Sequence, residues 1–194
     1  MDSPLETEVK IRIGEALPAA RALEAAGFSV TQPREFESNT MYDTRDRSLL
    51  AAGVLLRLRQ SGGRFILTFK GRAKPGPYKS RPELETTVGS CEVLDRVLHE
   101  LGYSPTFRYE KYRRVYQAPG DPGVVTLDET PIGNFLELEG SGEWIDGTAG
   151  RLGFARSEYI LDSYLRLYLE YCAQAGAKPS DMVFTAKESR APGV

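Results

Sequence analysis

The sequence predicts an α+β domain built on an antiparallel sheet, and two observations lead there. Short runs of alternating apolar and polar residues recur along the chain, separated by turn signals. In addition, a weak repeat is present: Glu-x-Glu on a strand, then a helix-like segment, then Gly followed by an aromatic residue. It occurs from "ETE" at 6–8 to Gly27, from "ELE" at 83–85 to Gly102, and from "ELE" at 137–139 to Gly153. Roughly eight strands with short hairpins and interspersed helices fit either a closed barrel or a strongly curved sheet.

The elements follow in order. "ETEVKIRI" reads as a strand with Thr7, Val9, Ile11 and Ile13 on one side and Glu6, Glu8, Lys10 and Arg12 on the other. "EALPAARALEAAGF" reads as a helix, with Pro18 suited to its first turn and Gly27 to a left-handed end. "TMYDT", "GVLLRLRQ" and "RFILTFKG" read as strands, the last two joined as a hairpin by "SGG" at 61–63. After "PELET", a helix begins at the N-cap Ser90 and buries a stripe of Leu94, Val97, Leu98 and Leu101. "TFRYEKYRRVYQ" and "VVTLDET" are strands joined by "PGDPG" at 119–123. "NFLELEG" is a strand leading into the helix-like "EWIDGTAGRLGF". "EYILDSYLRLYLEYCAQAG" is an amphipathic helix with Ile160, Leu161, Tyr164, Leu165, Tyr168 and Leu169 on its apolar side, and the final "APGV" is expected to fray.

Composition bounds the function. The chain has 194 residues, 41% hydrophobic and 27% charged, with a formal net charge of −2, ordinary for a globular domain. Nothing pulls it globally toward nucleic acid or an anionic membrane, so any anion site must be a local concentration of bases. Cys91 and Cys172 fall in apolar helical patterns and read as reduced core thiols. "MDSPLETEV" has no basic n-region or apolar stretch, and "AAGVLL" is far too short to span a bilayer. The expectation is a soluble cytoplasmic protein.

The charges are sorted in an unusual way. Glu6 and Glu8, Glu83 and Glu85, and Glu137 and Glu139 form same-sign pairs on single strand faces; so do Arg57 and Arg59, and Lys111 and Arg113. Lys70 and Asp128 sit on the corresponding faces of their own strands. An ordinary sheet with one wet face explains any one strand. Like charges two residues apart repel, however, unless neighbouring strands or a ligand supply the opposite sign. A polyphosphate suits the basic pairs, through bidentate arginines and compact lysines. Mg²⁺ or Mn²⁺ suits the carboxylates.

These residues carry a family resemblance. "ETEVK" resembles the Glu-x-Glu-x-Lys signature of the CYTH superfamily, the triphosphate tunnel metalloenzymes. "LRLR", "LTFKG", "SRPELET", "YEKYRR", "LDETPIGNFLELEG" and "DSYLRLYLEY" follow in family order. The similarity is closest to the bacterial and archaeal branch containing class IV adenylyl cyclases. It implies one domain over 1–194, with its core at about 5–171 and a C-terminal helix and tail at 158–194. It implies an eight-stranded antiparallel closed β-barrel, open as a tunnel, that binds a small-molecule triphosphate with Mg²⁺ or Mn²⁺. Glu6, Glu8, Glu137 and Glu139 match its metal-binding carboxylates. Lys10, Arg57, Arg59, Lys70, Lys111 and Arg113 match its triphosphate-binding bases. Glu83, Glu85 and Asp128 match acidic positions that orient those cations or serve a second metal. Catalytic roles thus fall on Glu6, Glu8, Lys10, Glu83, Glu85 and Asp128. The expected reaction is metal-dependent triphosphate hydrolysis; the alternatives are ATP cyclisation to 3′,5′-cyclic AMP and pyrophosphate, or non-catalytic polyphosphate binding. Lys178 and Lys187 match the late lysine of thiamine triphosphatases only in rough position. A homodimer would be unsurprising for the family.

Other signals carry less. His99 reads as a helix-surface or partly buried residue. "KGRAKPGPYKSR" at 70–81 lacks the end of a P-loop and reads as a solvated loop, or as a lid bringing Arg72, Lys74 or Lys79 to phosphate. The tyrosines among the bases of "FRYEKYRRVY" fit a barrel strand better than a nucleic-acid surface.

Overall fold

The computed structural model describes residues 5–185. Eight strands close into an antiparallel barrel: β1 (Leu5–Ile13), β2 (Ser29–Thr44), β3 (Leu55–Ser61), β4 (Arg64–Lys70), β5 (Lys79–Val88), β6 (Tyr103–Gln117), β7 (Val124–Thr130) and β8 (Gly133–Glu139). Around the barrel the order is β5-β4-β3-β2-β6-β7-β8-β1, and β1 pairs back onto β5 to close it. That seam is short, running from Leu5 opposite Pro82 to Glu8 opposite Lys79. Beyond it, β9 (Tyr159–Ile160) takes over the free edge of β1 at Lys10 and Ile11.

Alternation decides which way the barrel faces. Val9 and Ile11 of β1, Val125 and Leu127 of β7, and Leu136 and Leu138 of β8 point outward. There α1 (Ala16–Ala25) and α4 (Gly142–Arg151) cover them with Ala20, Leu23, Ile145 and Ala149. Burying each large apolar side chain contributes roughly 1.5–3 kcal/mol, so the hydrophobic core lies outside the barrel and the charged faces line its inside. The short α2 (Ser48–Ala52) links β2 to β3, and a second outer cluster packs Leu98 and Leu94 of α3 (Cys91–Glu100) against Tyr42 and Leu58.

Local signals behave as their chemistry requires. The Gly62–Gly63 turn between β3 and β4 has φ of +53° and +74°, the left-handed pair that a two-residue hairpin favours. Gly27, Gly102 and Gly153 all have positive φ at helix ends. Ser90 caps α3 by accepting from the Val93 amide at 3.2 Å.

Three expectations are corrected. The α3 stripe is narrower than its periodicity suggests: Leu98 is buried, but Val97 and Leu101 are 47% and 67% exposed. The outer wall of the barrel meets only the Cys91, Leu94 and Leu98 side of the helix. The last helix, α5 (Tyr164–Ala175), starts after the β9 strand and turns Tyr164, Leu167, Tyr168 and Cys172 inward, leaving Leu161 and Leu169 exposed. Finally, β2 is far longer than "TMYDT". It carries Pro33 and register shifts near Gln32 and Glu35, which break the alternation that marks a strand. The "APGV" tail and Lys187 lie outside the described residues.

Candidate triphosphate tunnel

Register shows how the same-sign pairs coexist. Glu6 lies opposite Arg81 and Glu8 opposite Lys79 across the seam, and Lys10 lies opposite Glu137. Lys70 faces Glu83, Lys111 faces Glu37, and Arg113 faces Asp128. Opposite charges thus face each other at these positions, while Arg57 and Arg59 lie opposite Met41 and Asn39 and reach Glu85 and Glu37 along the wall. Lys10 donates to Glu8 at 3.1 Å and pairs with Glu137 at 3.2 Å; Lys70 donates to Glu6 at 2.5 Å and pairs with Glu83 at 3.1 Å. One contact breaks the rule. Glu8 stands opposite Glu139 on the inner face, an arrangement of like charges that destabilises a strand pair.

The inner wall surrounds a cavity with about 560 Å³ of space free of atoms, its mouth included. Glu6, Glu8, Lys10, Arg57, Arg59, Lys70, Lys111, Arg113, Glu137 and Glu139 all border it. The other three predicted residues do not border the cavity but hold bases that do. Glu83 holds Lys70, Glu85 accepts from Arg57 at 3.3 Å, and Asp128, fully buried, accepts from Lys111 at 2.7 Å. Arg113 forks onto the same carboxylate through Nε at 2.7 Å and Nη2 at 2.6 Å, and it also donates to Glu137. Arg12 leaves the tunnel, donating to the Ile132 carbonyl at 3.0 Å and stacking on Phe135 at 4.6 Å. Lys178 is exposed and away from the lining.

Lys79 and Arg81 also border the cavity, and Glu37 is buried beside it, pairing with Arg59 at 3.4 Å and Lys111 at 3.6 Å. Period 2 carried back from Glu85 and Glu83 reaches Arg81 and Lys79, so these two bases were within reach of the pattern; Pro82 interrupts it visually. Lys79 is therefore a wall residue of β5 rather than part of a lid, while Arg72 and Lys74 are exposed. Glu37 lay hidden in the irregular half of β2. Among the described residues the barrel interior and its rim then carry eight acids and eight bases.

Where the first residues of β6 and β8 face inward, the lining turns aromatic. Phe107, Tyr109 and Phe135 pack under Tyr164, Leu167 and Tyr168 of α5, so the helix covers this part of the barrel end rather than leaving it open. Met41, Leu55 and Leu165 add an apolar edge to the cavity.

Electrostatics divides the wall. Burial alone would raise the carboxyls of Glu8 and Glu137, but Lys10 and its basic neighbours outweigh it and hold both well below the usual range. Loss of water and the adjacent Glu6 push Glu83 up to about 7 despite Lys70. Loss of water, then Glu6, Glu8 and Glu137, push Glu139 up to about 7. Loss of water and the nearby Lys10 bring Lys79 down to about 8, against the pull of Glu8. Three buried donors, Arg57 Nε, Arg81 Nε and Asn39 Nδ2, have no hydrogen-bond partner among the described residues. Orphaned donors beside a basic cavity call for an acceptor-rich ligand.

The donor chemistry of the same wall fits a divalent cation. Glu139 forms no ion pair among the described residues, its carboxyl is raised by loss of water and then by acidic neighbours, and Glu8 opposes it. A cation would remove that conflict, and hard carboxylate oxygens suit Mg²⁺ or Mn²⁺. No three acidic, histidine or cysteine side chains among the described residues already form a metal cage. No helix among the described residues is long and apolar enough to cross a membrane.

Comparison with known proteins agrees with this architecture. The CYTH-domain model matches residues 4–147. A Methanocaldococcus jannaschii protein named a putative adenylate cyclase is 26% identical over 137 residues, covering 71% of this chain and 77% of its own. The structure of a putative adenylate cyclase from Vibrio parahaemolyticus superposes with a TM-score of 0.74 at 21% identity, over 86% of this chain and 98% of that one. A Hippeastrum protein, described as a putative adenylyl cyclase with a dominant triphosphatase activity, superposes at 0.58 and 18% identity, over 90% and 97%.

Proposed function

This chain belongs to the CYTH family, and we propose that its barrel binds a triphosphate with Mg²⁺ or Mn²⁺ and transfers the terminal phosphoryl group to water. The observation that carries this reading is the set of orphaned buried donors on a wall of eight bases, a surface that awaits phosphate oxygens. Arg57, Arg59, Lys111 and Arg113 take those oxygens through charge-assisted hydrogen bonds and offset the charge that develops on them. Lys10, Lys70, Lys79 and Arg81 extend the basic wall toward the acidic strands. Glu8, Glu137 and Glu139, with Glu6 beside them, would hold the cation, which supplies positive charge to the phosphate oxygens. Water attacks the terminal phosphorus, the bond to the bridging oxygen breaks, and pyrophosphate leaves. A carboxylate of the wall that is not engaged with the cation would orient the attacking water and take its proton.

ATP cyclisation is the second reading, and the apolar edge of Met41, Leu55 and Leu165 favours it, because a base needs such a surface. The names of the similar proteins point both ways. We favour hydrolysis because charged residues dominate the lining. The two free thiols, Cys91 and Cys172, accord with a cytoplasmic setting. The test is product analysis with tripolyphosphate, ATP and thiamine triphosphate in parallel, each with Mg²⁺ or Mn²⁺. Hydrolysis predicts phosphate and pyrophosphate from tripolyphosphate at a kcat/KM above that of any ATP reaction. Cyclic AMP with pyrophosphate as the dominant outcome would install the cyclase instead.

A further inference from the structure

Asp128 is the junction of the tunnel's basic wall. It accepts from Lys111 and twice from Arg113, and its fourth donor is the hydroxyl of Tyr164 at 2.7 Å. Three of these bonds converge on Oδ2, those of Lys111, Arg113 Nη2 and Tyr164, while Arg113 Nε takes Oδ1. Tyr164 comes from neither β6 nor β7 but from the first turn of α5. Its ring lies 5.4 Å from Lys10 Nζ and 5.2 Å from Lys111 Nζ, within cation–π range of both. One side chain therefore touches charged groups of three strands, β1, β6 and β7.

The tyrosine is held from behind. Ser163 caps the helix by accepting from the Arg166 amide at 3.3 Å, and Phe135 meets the ring edge-on at 5.5 Å. Leu167, Tyr168 and Cys172 pack with Phe107 and Met182 to fix the rest of α5. Burial and the adjacent Asp128 charge hold the phenol well above its ordinary range, so it remains a neutral donor.

We infer that Tyr164 is a positioning residue for triphosphate: its hydroxyl shares Asp128 Oδ2 with Lys111 and Arg113, so it fixes the carboxylate and with it the place of both cations on the cavity wall. Asp128 and the phosphate compete for the same two cations. The tyrosine hydroxyl occupies one acceptor site and fixes the carboxylate plane. Without it, the carboxylate loses one of its four anchors, Lys111 and Arg113 lose their fixed place on the wall, and their hold on the ligand weakens. The inference rests on the proposed triphosphate-binding function.

Tyr164→Phe removes only the hydroxyl and retains the ring, its packing and its cation–π contacts. Tyr168→Phe is the matched control. Its hydroxyl donates to the Asp181 carbonyl at 3.2 Å, on the same helix but away from the tunnel. Calorimetric titration of tripolyphosphate into metal-free protein reads affinity, and steady-state kinetics with metal reads kcat and KM separately. Tyr164→Phe should raise Kd and KM about tenfold, the usual scale for one buried charge-assisted hydrogen bond, with a smaller change in kcat. Tyr168→Phe should leave Kd within twofold of wild type even if its thermal stability falls as far. If Tyr164→Phe also stays within twofold, or if both variants weaken binding equally, the inference is overturned while the function stands. Failure of the wild type to bind tripolyphosphate would overturn both.

Discussion

Asp128→Asn is the most informative single perturbation of the folded state. The carboxylate is completely buried and neutralises two cations, Lys111 and Arg113, that are themselves enclosed. At about 3 Å and an effective dielectric near 20, each contact corresponds to roughly 5 kcal/mol of Coulomb attraction. Much of that offsets the cost of taking the ions out of water. The net effect of deleting one partner of a buried ion pair is about 3–5 kcal/mol, because an uncompensated charge remains inside. Glu37, 3.6 Å from Lys111, and Glu137, bonded to Arg113, absorb part of the imbalance and favour the lower end of that range. With a urea m-value of about 2 kcal/mol per molar, a loss of about 3 kcal/mol moves the midpoint down by about 1.5 M. Urea unfolding followed by circular dichroism measures it. Saturating tripolyphosphate should recover more stability in the variant than in wild type, since the anion replaces the lost charge. A midpoint within about 0.3 M of wild type would refute the claim that Asp128 anchors the basic wall.

Further outcomes follow from the acidic side of the tunnel. Glu137→Gln and Glu139→Gln should each lower the hydrolysis rate about 100-fold and raise the Mg²⁺ or Mn²⁺ concentration needed for half-maximal rate; metal titrations of activity check this. Chelation should abolish turnover by the wild type. Glu83 has a folded pKa of about 7, above its unfolded value, so it contributes no penalty while protonated in both states at low pH. As pH rises from about 4.5 to 7 the unfolded chain releases the proton first, and folding stability falls. Glu83→Gln should therefore stabilise metal-free protein by about 1–2 kcal/mol at pH 8, after allowance for partial solvent screening, and change little at pH 4.5; urea melts at the two pH values decide it.

How much of this was legible in the sequence depends on the range of the signal. Period-2 alternation is local, and it placed Glu6, Glu8, Lys10, Arg57, Arg59, Lys70, Lys111, Arg113, Glu137 and Glu139 on strand faces that line one cavity. It could not tell inside from outside, because in this barrel the apolar face of each strand is the outer one, covered by helices. Where alternation was broken, residues were lost. Pro33 and the bulged register of β2 hid Glu37 and Asn39, and Pro82 obscured the step from Glu83 to Arg81 and Lys79. Helical periodicity named Tyr164 as apolar core, and it is buried. Its bond to Asp128, 36 residues away, depends on how α5 meets the barrel, which no periodicity encodes. The exposure of Val97 and Leu101 has the same origin, since the curvature of the barrel limits how much of a helix it can cover.

The central claim is that the basic wall of the barrel is a triphosphate site, and calorimetric titration of tripolyphosphate into metal-free protein tests it most directly. Wild type should bind with one-to-one stoichiometry and an affinity that falls as salt rises. Arg57→Ala and Arg59→Ala should each lose about 2 kcal/mol of binding free energy, roughly thirtyfold in Kd, while remaining folded. Absence of binding by wild type, or unchanged affinity in both arginine variants, would contradict the account.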